Sequence, residues 1–170
     1  MGEYLAKTIH RLSELSGRAV AWFVVAMIAL TFYDVLMRYL FNNGSVALQE
    51  LEWHLFGVII LIGAAYTLKH DNHVRVDLIY GSNKLSDRQR DWVDLLGTTF
   101  FLLPFCGLVI FNSIPFIEIA YIANEHSPDP GGLPYRWILK STIPLGFALL
   151  ALQGIANLVT LSQRIFRLHG

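Results

Sequence analysis

The sequence predicts an all-α integral membrane protein: four transmembrane helices, in-plane amphipathic helices beside them, and both termini on the cytoplasmic side. Three observations carry this prediction. More than half of the 170 residues are apolar (54%) and 15% are charged, with no net charge. The charges are confined to short intervals between long uncharged runs, as hydrocarbon-crossing segments require. Lys and Arg are divided unequally between alternate connections, which sets an orientation.

Residues 3–16 place Leu5, Ile9, Leu12 and Ser16 on one helical face, with Lys7, Arg11 and Glu14 elsewhere. That pattern predicts a short helix lying in the membrane interface. The first span covers about 19–38. Ala19 to Met37 gives 19 residues between Arg18 and Arg38, interrupted only by Asp34. At about 1.5 Å per residue this matches a hydrocarbon core about 30 Å thick. It is too long for the apolar region of a signal peptide and is read as a retained helix. Asp34 and Arg38 are spaced i,i+4 with the acid first, the favourable order for a helical ion pair. Their place at the end of the run favours a pair that orients the helix end and docks a partner over an ion relay.

Asn42-Asn43-Gly44-Ser45 predicts a turn with Ser45 as helix cap. Leu48, Leu51 and Leu55 then form one stripe among Gln49, Glu50, Glu52 and His54, predicting a second in-plane helix over about 46–53. Glu50 and Glu52, two residues apart, do not face each other, so they make a poor carboxylate dyad; either could reach Arg38. His54 with Glu50 supplies only two potential metal ligands. The second span, about 53–69, contains a 16-residue uncharged run from Trp53 to Leu68.

Lys69 to Asp94 is the most polar segment. Asp71-Asn72 suggests a turn, Val74, Val76 and Leu78 alternate with Arg75 and Asp77 as in an extended piece, and Ser86 suits a helix cap. His70 and His73 lie in this connection, whereas bundle haem ligands lie within spans. The third span, about 93–117, holds a 23-residue uncharged run, Leu95 to Ile117, and Pro104 within it predicts a kink. Cys106 is the lone cysteine, read as a packing residue, and Glu118 lies just beyond the run.

The segment from Glu125 onward is rich in turn formers. Pro130-Gly131 suits the centre of a type II turn, followed by Gly132. Pro134 fits the first turn of a helix. Tyr135, Arg136, Trp137 and Lys140 stand where that helix enters a membrane interface. The fourth span, about 138–163, carries Gln153 and Asn157 at i,i+4, amides suited to bonding a neighbouring helix. With both termini inside, ten Lys and Arg are cytoplasmic against three outside, so N-in, C-in is predicted and the Glu125–Arg136 loop faces outward.

The neutral balance argues against a nucleic-acid binder. No phosphate loop, serine triad or HExxH occurs, and no catalytic, cofactor-binding or metal-ligating set is assigned. An apolar bundle of this size reads as an accessory subunit, not an enzyme, and forms one domain over 1–170.

Four motifs sharpen that reading: RYLF at Arg38–Phe41, ELEWHLFG at Glu50–Gly57, HVRVDL at His73–Leu78, and SPDPGGLPYRWILKSTIPLGFALLALQ from Ser127. Together and in order they resemble the small permease (DctQ-type) subunit of TRAP, the tripartite ATP-independent periplasmic transporters, over the whole chain. The resemblance implies a bacterial inner-membrane importer of an organic acid driven by a sodium gradient. Its partners would be a large (M-type) permease subunit carrying the transport sites and a periplasmic (P-type) binding protein, with lipid around both membrane subunits. The small subunit would act as a scaffold for the large one and help dock the binding protein. The residues expected in structural or partner contacts are Asp34, Arg38, Glu50, Glu52, Glu118, Pro130, Gly131, Gly132, Arg136 and Lys140. Two other readings are a self-contained carrier or channel, with Asp34, Arg38 and Glu118 lining a path, and a haem- or quinone-binding anchor of a redox complex.

Overall fold

A computed structural model of the chain describes residues 2–70 and 86–167. The described residues form α1 (Gly2–Leu40), α2 (Val46–Lys69), α3 (Asp87–Gly97), a π-helical turn (Thr98–Leu102), α4 (Leu103–Ile122) and α5 (Trp137–Arg167). Four helical rods are long and apolar enough to cross a membrane: α1, α2, the α3–π–α4 rod and α5. The extended piece expected at 74–78, with His73 and the HVRVDL motif, lies outside the described residues.

The two amphipathic segments expected at about 3–16 and 46–53 are not separate elements. Each is the beginning of a continuous helix, α1 or α2. In α1 the face covered by protein is a different one from the apolar stripe expected to meet the membrane, and shares only Ile9 with it. Ala6, Ile9, Ser13 and Val20 are buried, while Leu5 and Leu12 are exposed. The reason is contact with α5: Ala6 and Ile9 pack with Ala156 and Val159, so this face is covered by protein. At 39 residues α1 is about 58 Å long. That is nearly twice the hydrocarbon thickness, and its first turns run alongside the end of α5.

Two predicted start signals differ in outcome. Ser86 caps α3 with a full capping box, its hydroxyl accepting from the Gln89 N–H and its own N–H donating to the Gln89 side chain. Ser45 occupies the cap position of α2, but its side chain makes no capping bond. Pro104 sits in the first turn of α4, directly after the π turn, where the Leu103 N–H reaches back to the Thr98 carbonyl. Proline offers no N–H to the Phe100 carbonyl, and the widened turn is the local accommodation.

Helix α5 is the central element: it contacts α1, α2 and α4, while α1 also packs on α2. The seams are lined by small residues. A methyl group added at Gly146 would stand 2.6 Å from the Leu61 carbonyl oxygen, and one at Gly17 would stand 2.1 Å from Cδ2 of the Tyr66 ring. Ala65, Cys106, Ala120 and Ala156 are fully buried, whereas Phe101, Phe105, Phe111 and Ile122 are exposed. Membrane bundles invert the soluble pattern in this way, because lipid accepts large apolar groups and close backbone approach needs small ones.

Candidate functional site

The candidate site is the 123–136 loop, held at the end of the bundle formed by the start of α2, the end of α4 and the start of α5. Its geometry begins with the end of α4. Asn124 adopts a left-handed φ of 46°. Its N–H bonds the Tyr121 carbonyl at 3.0 Å and the Glu125 N–H bonds the Ala120 carbonyl at 2.9 Å, a Schellman motif that satisfies the last carbonyls of α4. The chain then turns at Asp129–Gly132. Gly131 has φ 81° and the Gly132 N–H bonds the Asp129 carbonyl at 3.0 Å, the type II turn that Pro130-Gly131 predicts.

The two limbs of the loop are tied together. The Ser127 N–H donates to the Leu133 carbonyl at 3.1 Å, and the Arg136 N–H donates to the Glu125 carbonyl at 3.0 Å. Ser127 Oγ also accepts from the Asp129 N–H at 3.2 Å. Tyr135 has φ 59°, outside helical conformation, so α5 begins at Trp137 and Pro134 lies before the helix, not in its first turn.

Glu50, on the first turns of α2, reaches into this loop. It is only 6% exposed. One carboxylate oxygen accepts from the Ser127 hydroxyl and the other accepts from the Leu133 N–H at 2.6 Å. Gly132 passes so close that an added methyl would lie 2.8 Å from Glu50 Oε2 and 2.5 Å from Ser127 Oγ. One turn further along α2, the Arg136 guanidinium stands 5.5 Å from the centre of the Trp53 ring. From α5, Lys140 pairs with Glu125 and lies 3.9 Å from the Phe116 ring centre, while Trp137 meets Tyr121 edge-on at 5.3 Å. Three helices thus fasten one loop.

Of the residues singled out in the sequence, Glu50, Pro130, Gly131, Gly132, Arg136 and Lys140 converge here. Asp34 and Arg38 form their own i,i+4 ion pair on α1, with Asp34 buried at 1% exposure. Neither Glu50 nor Glu52 pairs with Arg38: Glu50 binds the loop, and Glu52 has a buried oxygen without a hydrogen-bond partner among the described residues. Glu118 lines a shallow cleft with Ile114, Ile117, Tyr121, Trp137 and Ser141. The His54 ring nitrogen contacts the Glu50 backbone carbonyl at 2.5 Å.

Sequence reasoning missed Ser127 and Leu133 as the partners of Glu50. They lie 77 and 83 residues away, with no local pattern to announce them. It also missed the far partners of Gln153. This fully buried amide accepts from Ser13 Oγ at 2.7 Å, lies 3.0 Å from His10 Nδ1, and donates to Asn157 at 2.8 Å. At that same end Glu14 accepts from Lys69 at 2.6 Å, and Arg164 pairs with Asp91 at 3.3 Å.

Comparison with known proteins adds the following. Residues 27–164 match the family described as tripartite ATP-independent periplasmic transporters, DctQ component. The chain is 30% identical over 151 residues to the C4-dicarboxylate TRAP transporter small permease protein DctQ of Vibrio cholerae, covering 77% of this chain. It spans 64% of the length of that relative. It is 28% identical over 141 residues to a putative TRAP transporter small permease protein of Haemophilus influenzae, covering 83% of each chain. No solved structure matches the chain at a comparable level.

Proposed function

The chain belongs to the DctQ component family of the tripartite ATP-independent periplasmic transporters, and from that premise we propose that it braces the large permease subunit of a binding-protein-dependent importer. It is a multi-pass membrane protein and a component of a TRAP transporter. The cargo in this reading is an organic acid and the driving force a sodium gradient, both handled by the partner subunits. The membrane is the bacterial inner membrane, both termini are cytoplasmic, and the 123–136 loop faces the periplasm, where it helps seat the binding protein.

The observation that carries this reading is the use made of the buried polar side chains. Gln153, Ser13 and Glu50 are each bonded to another segment of the same chain, and Asp34 is paired with Arg38 on its own helix. These are ties within a brace, and they leave large apolar side chains on the outside for lipid and a partner. A rigid brace would hold the immobile part of the large subunit while its transport part moves. The ten-to-three distribution of Lys and Arg supports the orientation.

The test is deletion of this chain in cells that retain the large subunit and the binding protein. Uptake is expected to be lost, and the large subunit to fall in abundance. Unchanged uptake with an unchanged level of large subunit would overturn the brace. Purified chain reconstituted alone is expected to move no organic acid under a sodium gradient; transport in that preparation would instead establish a self-contained carrier.

A further inference from the structure

We propose that Glu50 is a positioning residue: its carboxylate fixes the shape of the 123–136 loop and makes that shape follow α2. The proposal rests on the reading above that this loop seats the periplasmic binding protein, and it adds the residue that holds the loop ready.

Four observations converge on this assignment. Glu50 belongs to a span-forming helix, yet both of its carboxylate oxygens bind the loop and neither binds α2. The two bonds fall on opposite limbs, Ser127 on the outgoing one and Leu133 on the returning one. A single charged group therefore bridges a loop whose limbs are already joined by the Ser127 N–H to Leu133 carbonyl bond. Hydrogen bonds to an ionised carboxylate are shorter and about twice as strong as neutral ones. Gly132 lies against this contact with no room for a Cβ, so the carboxylate and the turn are fitted to each other. Trp53, three residues after Glu50 and on the same side of α2, supports Arg136 at the end of the loop.

The consequence concerns docking. Without Glu50 the loop remains attached at both ends through the Schellman motif and the Lys140–Glu125 pair. The residues on either side of its Asp129–Gly132 tip, Ser127 and Leu133, however, lose their hydrogen bonds to α2. A tip that must be ordered on binding lowers affinity, because ordering then counts against association. A tip already ordered by α2 avoids that cost, and any tilt of α2 is carried to the docking surface.

The experiment uses the complete three-component transporter in proteoliposomes. A spin label is placed on Asp129→Cys in a Cys106→Ala background; Cys106 is the lone cysteine and is fully buried. In Glu50→Ala the label is expected to gain a mobile component. The binding-protein concentration for half-maximal uptake is expected to rise about tenfold, equivalent to about 1.4 kcal/mol, with uptake at saturation unchanged. Glu50→Gln keeps an acceptor for the Leu133 N–H and offers a donor to Ser127 Oγ, so it is expected to restore the immobile label and most of the affinity. That rescue separates positioning from a direct use of the charge.

An immobile label in Glu50→Ala overturns the proposal. So does a Glu50→Gln variant as weak as Glu50→Ala while its label stays ordered. If Glu50→Ala fails to assemble, Ser127→Ala removes one of the two ties and must mobilise the label in its place. The docking reading is tested apart by Tyr135→Ala on the exposed surface. A weakening by Tyr135→Ala without one by Glu50→Ala overturns the positioning role alone. A freed label with neither variant altering half-saturation overturns the docking reading itself.

Discussion

Replacing Gly146 by alanine isolates a close approach to the backbone of a neighbouring helix. The added methyl would lie 2.6 Å from the Leu61 carbonyl oxygen, 2.8 Å from its carbon and 2.9 Å from its Cβ. None of these atoms can rotate away, since all are fixed by the backbone of α2. Carbon atoms rest about 3.5 Å or more apart, so α2 and α5 must separate by somewhat under ~1 Å over this stretch. Overpacking of that kind costs about 1–3 kcal/mol, against a gain of at most about 1 kcal/mol from replacing glycine by alanine in a helix. A net loss of up to about 2 kcal/mol is expected. Two other glycines provide the internal scale. At Gly154 the added methyl meets Leu102 Cδ2 at 2.8 Å, the free end of a flexible side chain. That should yield at a net change within about 0.5 kcal/mol. At Gly107 there is nothing within 4 Å, so Gly107→Ala should be neutral or stabilising. Unfolding in mixed micelles with increasing sodium dodecyl sulfate, followed by tryptophan fluorescence, gives the order. A Gly146→Ala protein as stable as Gly107→Ala would refute the close α2–α5 approach.

Three further outcomes are expected. Gln153→Leu removes the clip between α1 and α5 and should cost about 0.5–2 kcal/mol, the range of hydrogen bonds between membrane helices. Hydrogen exchange should then speed up in the first turns of α1 and stay unchanged in α4. Gly131→Ala forces a side chain into φ 81°, and Gly132→Ala drives one into Ser127 and Glu50; each should cost about 1–3 kcal/mol, read as faster proteolysis of the loop in the native protein. Arg38→Met leaves the Asp34 carboxylate buried without its cation and should cost about 1–3 kcal/mol, less than for a fully buried pair because the Arg38 side chain is 43% exposed. The double variant with Asp34→Asn should recover most of that in a thermal melt; failure of the double variant to recover would show that the pair is not coupled.

The spans were legible because apolar length alone defines them, and the Asp129–Gly132 turn because proline and glycine have narrow conformational roles. The face of α1 was not. The expected stripe of Leu5, Ile9, Leu12 and Ser16 is the apolar face of an in-plane helix turned to the membrane, and it says nothing of which residues meet protein. In this bundle Ala6, Ser13 and Gly17 occupy the seam, because helices approach closely only over small residues and lipid receives the large ones. The start of α5 was displaced from Pro134 to Trp137 by the positive φ of Tyr135, a conformation fixed by loop closure at Glu125 and Arg136 rather than by local preference. The carboxylate at Glu50 was marked as a contact residue, but its target lies far away in sequence, and only the side-by-side packing of α2 and α5, with their starts at the same end of the bundle, brings the two together.

The distribution of ties bears on how a brace could tolerate motion beside it. The polar links gather at the two ends of the bundle: Glu50 with the loop and Lys140 with Glu125 at one, Gln153 with Ser13 and Glu14 with Lys69 at the other. Between them the helices are held by backbone proximity at Gly146 and by ring packing such as Phe105 on Phe147, 5.7 Å apart. The outer surface of the π turn and α4, with Phe101, Leu108, Phe111 and Ile119, is made mostly of apolar side chains. Dispersion contacts along such a surface are individually small and non-directional, so a neighbour can slide across it with little change in energy at each step. Directional bonds would resist the same displacement. Internal ties that are directional, combined with an exterior that is not, give a body that keeps its own shape while an adjacent helix moves. This division supports the scaffold reading more strongly than any single residue does.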